Sequence, residues 1–242
     1  MSQPFPHIER LNENSLIIYF ALTPGNAITR QIRFYWQSIE KNLGHLLSNS
    51  VPANTSLLLE FDDTQTDFRS VRVQVERLLQ LPFQQNAVDE KLYTNHHIIP
   101  VLYHQDVAPD LESVAQLHGI TINELVKFHC NRSYTVFSVG FVPGFAYMGD
   151  VASQIATPRQ TSPRTEVAGG SVGIAEQQTG IYPRSSPGGW NIIGRTPITV
   201  LQPLNNSNAE PESSCLFKTG DQVSFTSIDK TEFNRLSTAN DQ

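Results

Sequence analysis

The chain has 242 residues, enough for one large domain or two small ones, and its 39% hydrophobic share is ordinary for a globular protein. Lys plus Arg number 17 against 23 Asp plus Glu, and the formal charge of −6 argues against a non-specific binder of nucleic acid or anionic membrane. Two cysteines, Cys130 and Cys215, are too few and too far apart for a disulfide scaffold or a zinc site. With no apolar run of bilayer length and no basic leader before an apolar stretch, a cytoplasmic protein with reduced thiols is expected.

In the first part of the chain the hydrophobic period alternates between that of a strand and that of a helix. Ser15 to Phe20 is a short β-rich apolar run, followed by the turn pair Pro24-Gly25 and by Asn26, a good helix cap. Ile28, Ile32, Tyr35, Trp36, Ile39 and Leu43 then recur at steps of three and four, and Gly44 stands where a left-handed terminating residue is wanted. Ser56 to Phe61 reads as another strand. Asp67 caps a second amphipathic helix carrying Phe68, Val71, Val75, Leu78 and Leu79 before Pro82 stops it. The expected order is β-α-β-α, a small α+β domain over residues 1–90. Residues 83–96 are polar and read as a linker.

A second domain over residues 91–242 opens with a strand at 97–103. Two short helices follow, the first capped by Asp110 and ended by Gly119, the second opened by a Thr121/Glu124 capping box and running to about His129. They fall at helix-turn-helix spacing, but Ile122 to His129 carries only Lys127 against Glu124, so a helical excursion packed on the rest of the domain is the better reading. Beyond Tyr134 short strands separated by Gly and Pro are expected at 134–141, 171–175, 190–193, 198–202 and 222–227. That pattern belongs to a closed or nearly closed β-barrel. The polar stretch 203–214 reads as an exposed loop with no part in the core.

Chemistry concentrates between Phe137 and Gln202, which hold 10 of the 14 glycines, four Arg (159, 164, 184 and 195), no Lys, and only the acids Asp150, Glu166 and Glu176. A guanidinium clamps a carboxylate or phosphate at two points, and glycines let backbone N–H groups approach a ligand, so this set suggests an anion site. The same arginines are equally suited to bracing long loops. No phosphate-cradling glycine loop, dinucleotide fingerprint or serine nucleophile elbow occurs, so ATP binding by this chain alone has no motif behind it. Ser171 and Ser186 read as turn serines, and the adjacent pair His96-His97 is a poor metal site because neighbouring strand residues face opposite ways. His129 is a candidate acid or base near neutral pH, or a helix-capping histidine. Tyr147 and Tyr182 flank the arginines and are placed either to orient a ligand or to pack the barrel rim.

Ordered blocks across this region are recognisable: Gly140-Phe141-x-Pro143-Gly144-Phe145-x-Tyr147, Pro158-Arg159, Pro163-Arg164, Gly170-Ser171-Val172-x-Ile174-Ala175, Gln178 to Pro183, Ser186-Pro187-Gly188-Gly189-Trp190, and Ile193-Gly194-Arg195-Thr196-Pro197. They resemble the KipI family, also known as the B-type subunit of 5-oxoprolinase or as allophanate hydrolase subunit 1. Val51-Pro52-Ala53, Ser56 to Asp62 and Pro109 to Ala115 extend the likeness over most of the chain. The resemblance implies an α+β N-terminal domain and a cyclophilin-like β-barrel with a short helical insertion. It also implies an ATP-dependent enzyme that opens 5-oxoproline to glutamate, built with a KipA-like and a LamB-like subunit. Other members inhibit a sensor histidine kinase, and the pair of subunits resembles a carboxyltransferase domain. The site it implies has Arg195, Tyr182, Gln178 and His129 in catalytic roles. Arg159, Arg164, Pro143, Gly144, Phe145, Tyr147, Ser186, Pro187, Gly188, Gly189 and Trp190 would bind substrate, with Arg159, Arg164 and Arg195 together on its carboxylate or on a phosphorylated intermediate. No metal, nucleic acid or membrane enters this expectation.

Overall fold

The structure is a computed structural model that describes residues 5–83, 95–202 and 214–240. The chain divides into two compact units, Met1–Thr94 and Asn95–Gln242. The expected boundary at 90/91, most of the 83–96 linker and most of the 203–214 loop lie outside the described residues.

In the first unit β1 (His7–Arg10), β2 (Ser15–Tyr19), β3 (Leu47–Pro52) and β4 (Ser56–Phe61) form an antiparallel sheet in the order β1-β2-β4-β3, with α1 (Asn26–Leu43) and α2 (Phe68–Leu79). The strand period of two buries Leu16 and Ile18 of β2 and Leu57, Leu59 and Phe61 of β4. Ile32, Tyr35, Ile39 and Leu43 of α1 and Val71 and Val75 of α2 complete the same core. The edge strands β1 and β3 were not expected, because HIER and LSNSVP bury little and carry no clean alternation. Asp67 caps α2 as expected, its carboxylate accepting from the Ser70 N–H. At α1 two expectations are corrected. Gly25, not Asn26, takes the cap position, and Gly44 stays right-handed at φ −52°, passing the chain into a 3₁₀ turn over Gly44–Leu46.

The second unit contains β5 (His96–Val101), α3 (Leu111–Leu117), α4 (Ile122–Cys130), β6 (Ser133–Val139), β7 (Ala146–Gly149), β8 (Arg164–Val167), β9 (Ser171–Ala175), β10 (Gln178–Ile181), β11 (Ser186–Gly188), β12 (Asn191–Arg195), β13 (Gln222–Ser227) and α5 (Lys230–Asn240). Seven strands run in the order β12-β9-β10-β7-β6-β13-β5, antiparallel except for the parallel pair β13·β5. Just beyond β5, Leu102 exchanges backbone hydrogen bonds of 2.8 and 3.0 Å with Arg195 of β12, so the first and last strands meet and the sheet closes into a barrel. Val101, Tyr134, Val136, Met148, Val172, Ile174, Ile193 and Phe225 fill the interior.

The α+β class with a barrel-like sheet is therefore what the chain adopts. The strand expected at 198–202 is not formed: Leu201 makes a single bridge, to Cys215. Strands β7, β8, β10 and β11 and helix α5 were not anticipated, since each strand has three or four residues and, apart from AYMG of β7, their sequences are dominated by Gly, Pro and polar residues. Strands β8 and β11 pair only with each other, as a two-stranded ribbon beside the barrel.

Candidate functional site

The loop from β6 to β7 makes a tight turn in which Phe145 N–H donates to Val142 O and Gly140 N–H donates to Phe145 O. Gly144 supplies the positive φ this turn needs (82°), but Phe141 also stands at φ 72° with 65% of its surface exposed. A large apolar residue held open in a strained conformation marks the rim of a cleft of about 300 Å³. Its walls are Phe145, Tyr147, Tyr182 and Trp190, whose rings meet edge to face with Phe145 centred 4.9 to 5.3 Å from the other three. Pro187 and Gly188 of the ribbon, with Gly189 just beyond it, form one side, and Arg159, Gln160 and Pro163 another. Gly188 is obligatory: a Cβ there would lie 2.2 Å from the Tyr182 hydroxyl.

The cleft is mostly aromatic with one cation. Arg159 is exposed, and among the described residues its guanidinium has no hydrogen-bond or ion-pair partner. Burial raises both phenols above their ordinary range, and the Arg159 charge only partly offsets this, so Tyr147 and Tyr182 stay neutral. The Tyr182 oxygen accepts a hydrogen bond from the Trp190 backbone N–H, leaving its own proton free to donate.

Beneath the cleft lies a polar network that sequence reasoning missed. Asp110 stands at the N-cap of α3 as expected but makes no capping bond. Its buried carboxylate instead accepts from Arg164 Nη2 at 2.6 Å, from the Ile192 N–H at 2.6 Å and from Gln160 Nε2 at 3.3 Å. Gln160 also donates to Asn191 Oδ1, and Asn191 Nδ2 in turn reaches the Pro158 and Ile174 carbonyls. Gln160 N–H donates to Gly189 O, and Arg164 Nη1 lies 3.5 Å from Trp190 O. One carboxylate thus holds both loops that carry the cleft. An Asp before a helix reads as a cap in sequence, and its partners 50 to 82 residues away leave no local signal.

A second cleft, of about 280 Å³, is lined by Arg164, Glu166 and Val167 of β8, by Arg195, Ser171 and Ile192, and by the segment from Gln105 to Pro109. The Arg195 Nε donates to Gly169 O at 3.1 Å. The ribbon strands thus serve different clefts, β11 the first and β8 the second.

Residues 6–211 match the family described as carboxyltransferase domain, subdomain C and D. The chain belongs to this family. It is 32% identical to the B-type subunit of 5-oxoprolinase from Bacillus subtilis strain 168 over 237 residues, covering 94% of this chain and 95% of that protein. The crystal structure of TTHA0988 superposes with a TM-score of 0.74 at 28% identity over 90% of this chain, which spans only 40% of that longer protein. The urea carboxylase of Kluyveromyces lactis shares the fold at 18% identity and a TM-score of 0.73, with 94% of this chain matching 22% of its length. The likeness read from the ordered motif blocks is thereby borne out.

The structure brings some of the family-motif residues together and separates others. Phe145, Tyr147, Arg159, Tyr182, Pro187, Gly188, Gly189 and Trp190 share the first cleft. Pro143 and Gly144 form the turn behind it, Gly144 against Leu201 and Pro183, and do not line it. Ser186 is on β11 with its hydroxyl buried and unpartnered, and Gln178 opens β10 opposite Ala175 and Gly149, away from the lining of either cleft. The expected three-arginine clamp is not assembled. Arg159 borders the first cleft, whereas Arg164 and Arg195 border the second, with Arg164 already paired to Asp110.

His129 is not brought to either cleft. It is fully buried, its ring stacked on Phe225 with centres 4.5 Å apart. Thr179 Oγ1 donates its proton to Gly173 O, so His129 Nε2 must be the donor to Thr179 at 2.9 Å. Nδ1 then accepts from the Tyr103 hydroxyl at 2.7 Å. Cys130 Sγ donates to the same Tyr103 oxygen, and the Tyr134 hydroxyl donates to the His129 carbonyl. Burial of this neutral ring pushes its pKa down to about 3. Such a group is a structural tie between α4 and the barrel, and its ring takes up no second proton near neutral pH.

Among the described residues no helix is long and apolar enough to cross a membrane.

Proposed function

We propose that this chain is the B-type subunit of an ATP-dependent 5-oxoprolinase, acting with a KipA-like and a LamB-like subunit, and that 5-oxoproline occupies the aromatic cleft. The observation that carries the reading is the pairing of Arg159, a cation with no protein partner among the described residues, with walls of Phe145, Tyr147, Tyr182 and Trp190. A small monoanion with a flat ring matches that surface, and the relation to the B. subtilis protein supports the choice of 5-oxoproline. The carboxylate sits on the Arg159 guanidinium and the lactam ring lies against Trp190. The neutral Tyr182 hydroxyl donates to the lactam oxygen and polarises the carbonyl. Water adds at that carbon, the C–N bond breaks, and both protons of that water pass to the ring nitrogen, giving the α-ammonium of glutamate and leaving its oxygen in the new side-chain carboxylate. ATP hydrolysis, for which this chain carries no phosphate loop, drives the opening from the partner subunits.

The test is 5-oxoproline-dependent release of ADP and glutamate by this chain alone and co-expressed with the two candidate partners. Turnover confined to the full mixture, with the KM for 5-oxoproline raised about 10-fold or more by Arg159→Gln, is the expected result. A stable three-subunit complex that turns over no 5-oxoproline refutes the reading.

A further inference from the structure

The two clefts differ in charge, and the difference points to different ligands. The first offers one cation and no acid. The second is lined by Arg164, Arg195, Asp106 and Glu166. Two of these four charges are already answered within the protein: Arg164 by Asp110 at 2.6 Å, and Asp106 by Lys230 at 2.8 Å. The remaining two, Arg195 and Glu166, form no ion pair with each other, nor with any other charged group among the described residues. Each is anchored from one side only. The Arg195 Nε is held by Gly169 O, leaving its two terminal nitrogens unused, and one Glu166 oxygen accepts from the Ser185 hydroxyl, leaving the other open. Ser171, directly opposite Arg195 across the β9·β12 pair, adds a hydroxyl to the cleft lining, and Val107, Pro109 and Ile192 supply an apolar flank.

We propose that this second cleft binds a free α-amino acid as its zwitterion, with the carboxylate on Arg195 and Ser171 and the ammonium on Glu166. An anion lacking the ammonium would leave Glu166 unanswered and repelling, and a simple cation would meet Arg195 in the same way. A zwitterion satisfies both charges and adds no net charge to the cleft. The assignment of L-glutamate as the amino acid rests on the function proposed above, since opening 5-oxoproline creates the ammonium that the first cleft has no acid to receive. The zwitterion class rests on the second cleft alone.

The test is calorimetric titration of the full chain with L-glutamate, L-alanine, N-acetyl-L-glutamate and 5-oxo-L-proline, for the wild type and for Arg195→Gln, Glu166→Gln and Arg159→Gln. Thermal melts check that each variant is folded; Glu166 and Arg159 are exposed, so those two variants keep the test open if Arg195→Gln unfolds. L-glutamate should bind the wild type and lose at least ~10-fold in affinity with Arg195→Gln and with Glu166→Gln, while Arg159→Gln leaves it unchanged. N-acetyl-L-glutamate, which has no ammonium, should bind the wild type more weakly and lose no affinity with Glu166→Gln, which removes the repelling carboxylate. The proposal is overturned if neither amino acid binds, if the acetylated compound binds as tightly as L-glutamate, or if folded Glu166→Gln binds L-glutamate like the wild type. Binding of L-alanine with this Glu166 dependence, together with no binding of 5-oxo-L-proline, would uphold the zwitterion site and remove the substrate reading of the first cleft.

Discussion

Acid should loosen the Asn95–Gln242 unit through one side chain, His129. In the unfolded chain a histidine takes up its proton near pH 6.5, whereas in the folded barrel burial holds the ring neutral down to about 3. Between those values the unfolded state binds one more proton, so stability is intact above about pH 6.5 and falls as the pH drops toward 3. Each pH unit in that window costs at most about 1.4 kcal/mol, which gives a loss of roughly 2 kcal/mol at pH 5 and roughly 3 kcal/mol at pH 4. The titratable groups around the ring are Tyr103, Cys130 and Tyr134, all of them raised by burial and neutral throughout this range. No carboxylate is hydrogen-bonded to the imidazole to hold a proton on it. His129→Gln isolates the effect, because an amide is able to accept from Tyr103 and donate to Thr179 without titrating. Urea unfolding followed by Trp190 fluorescence, in a Trp36→Phe background that leaves one indole in the chain, reports on the barrel. The wild type should lose about 2 kcal/mol more than His129→Gln between pH 7.5 and pH 5. Equal pH dependence in the two proteins would refute the argument and mean that the imidazole is reached by water.

Asp110→Asn should destabilise the same unit by about 1.5 to 3 kcal/mol, since it leaves the part-buried Arg164 guanidinium and the buried Ile192 N–H without their charged acceptor; thermal unfolding measures it. Arg159→Gln should leave the melting temperature unchanged within error while raising the KM for 5-oxoproline in the assembled enzyme about 10-fold or more, as expected for loss of a charge-assisted contact made only to ligand. Gly188→Ala should force the Tyr182 ring aside, costing about 1 to 3 kcal/mol of stability and abolishing binding in the first cleft, both readable from a melt and a titration.

Much of the fold was legible wherever a strong period coincided with a chemical boundary signal. The run Ser15 to Tyr19, the helix ended near Leu43, Asp67 at the start of α2 and the Thr121/Glu124 capping box are local physics, and all four appear where the residues place them. The edge strands β1 and β3 were hidden because a strand that buries little needs no apolar alternation. The short strands β7, β8, β10 and β11 were hidden because three or four residues hold too few positions to show a period. The site was legible as a region rather than as a geometry. The motif blocks from Gly140 to Pro197 drew attention to the loops that line the two candidate clefts, yet they treated the arginines as one clamp.

By itself the sequence determined the family, the α+β class with a barrel, and the aromatic and guanidinium chemistry of the cleft region, because each of these depends on composition, order and short-range spacing. Tertiary structure alone decided that Arg159 and Arg195 serve different clefts, that Asp110 braces the cleft loops instead of capping α3, and that His129 is sealed in the core. The reason is physical. A side chain's protonation state and partners are set by what packs around it, and here hydrogen-bond partners stand 26, 50 and 82 residues away in the chain. No local pattern encodes such distances until the barrel closes.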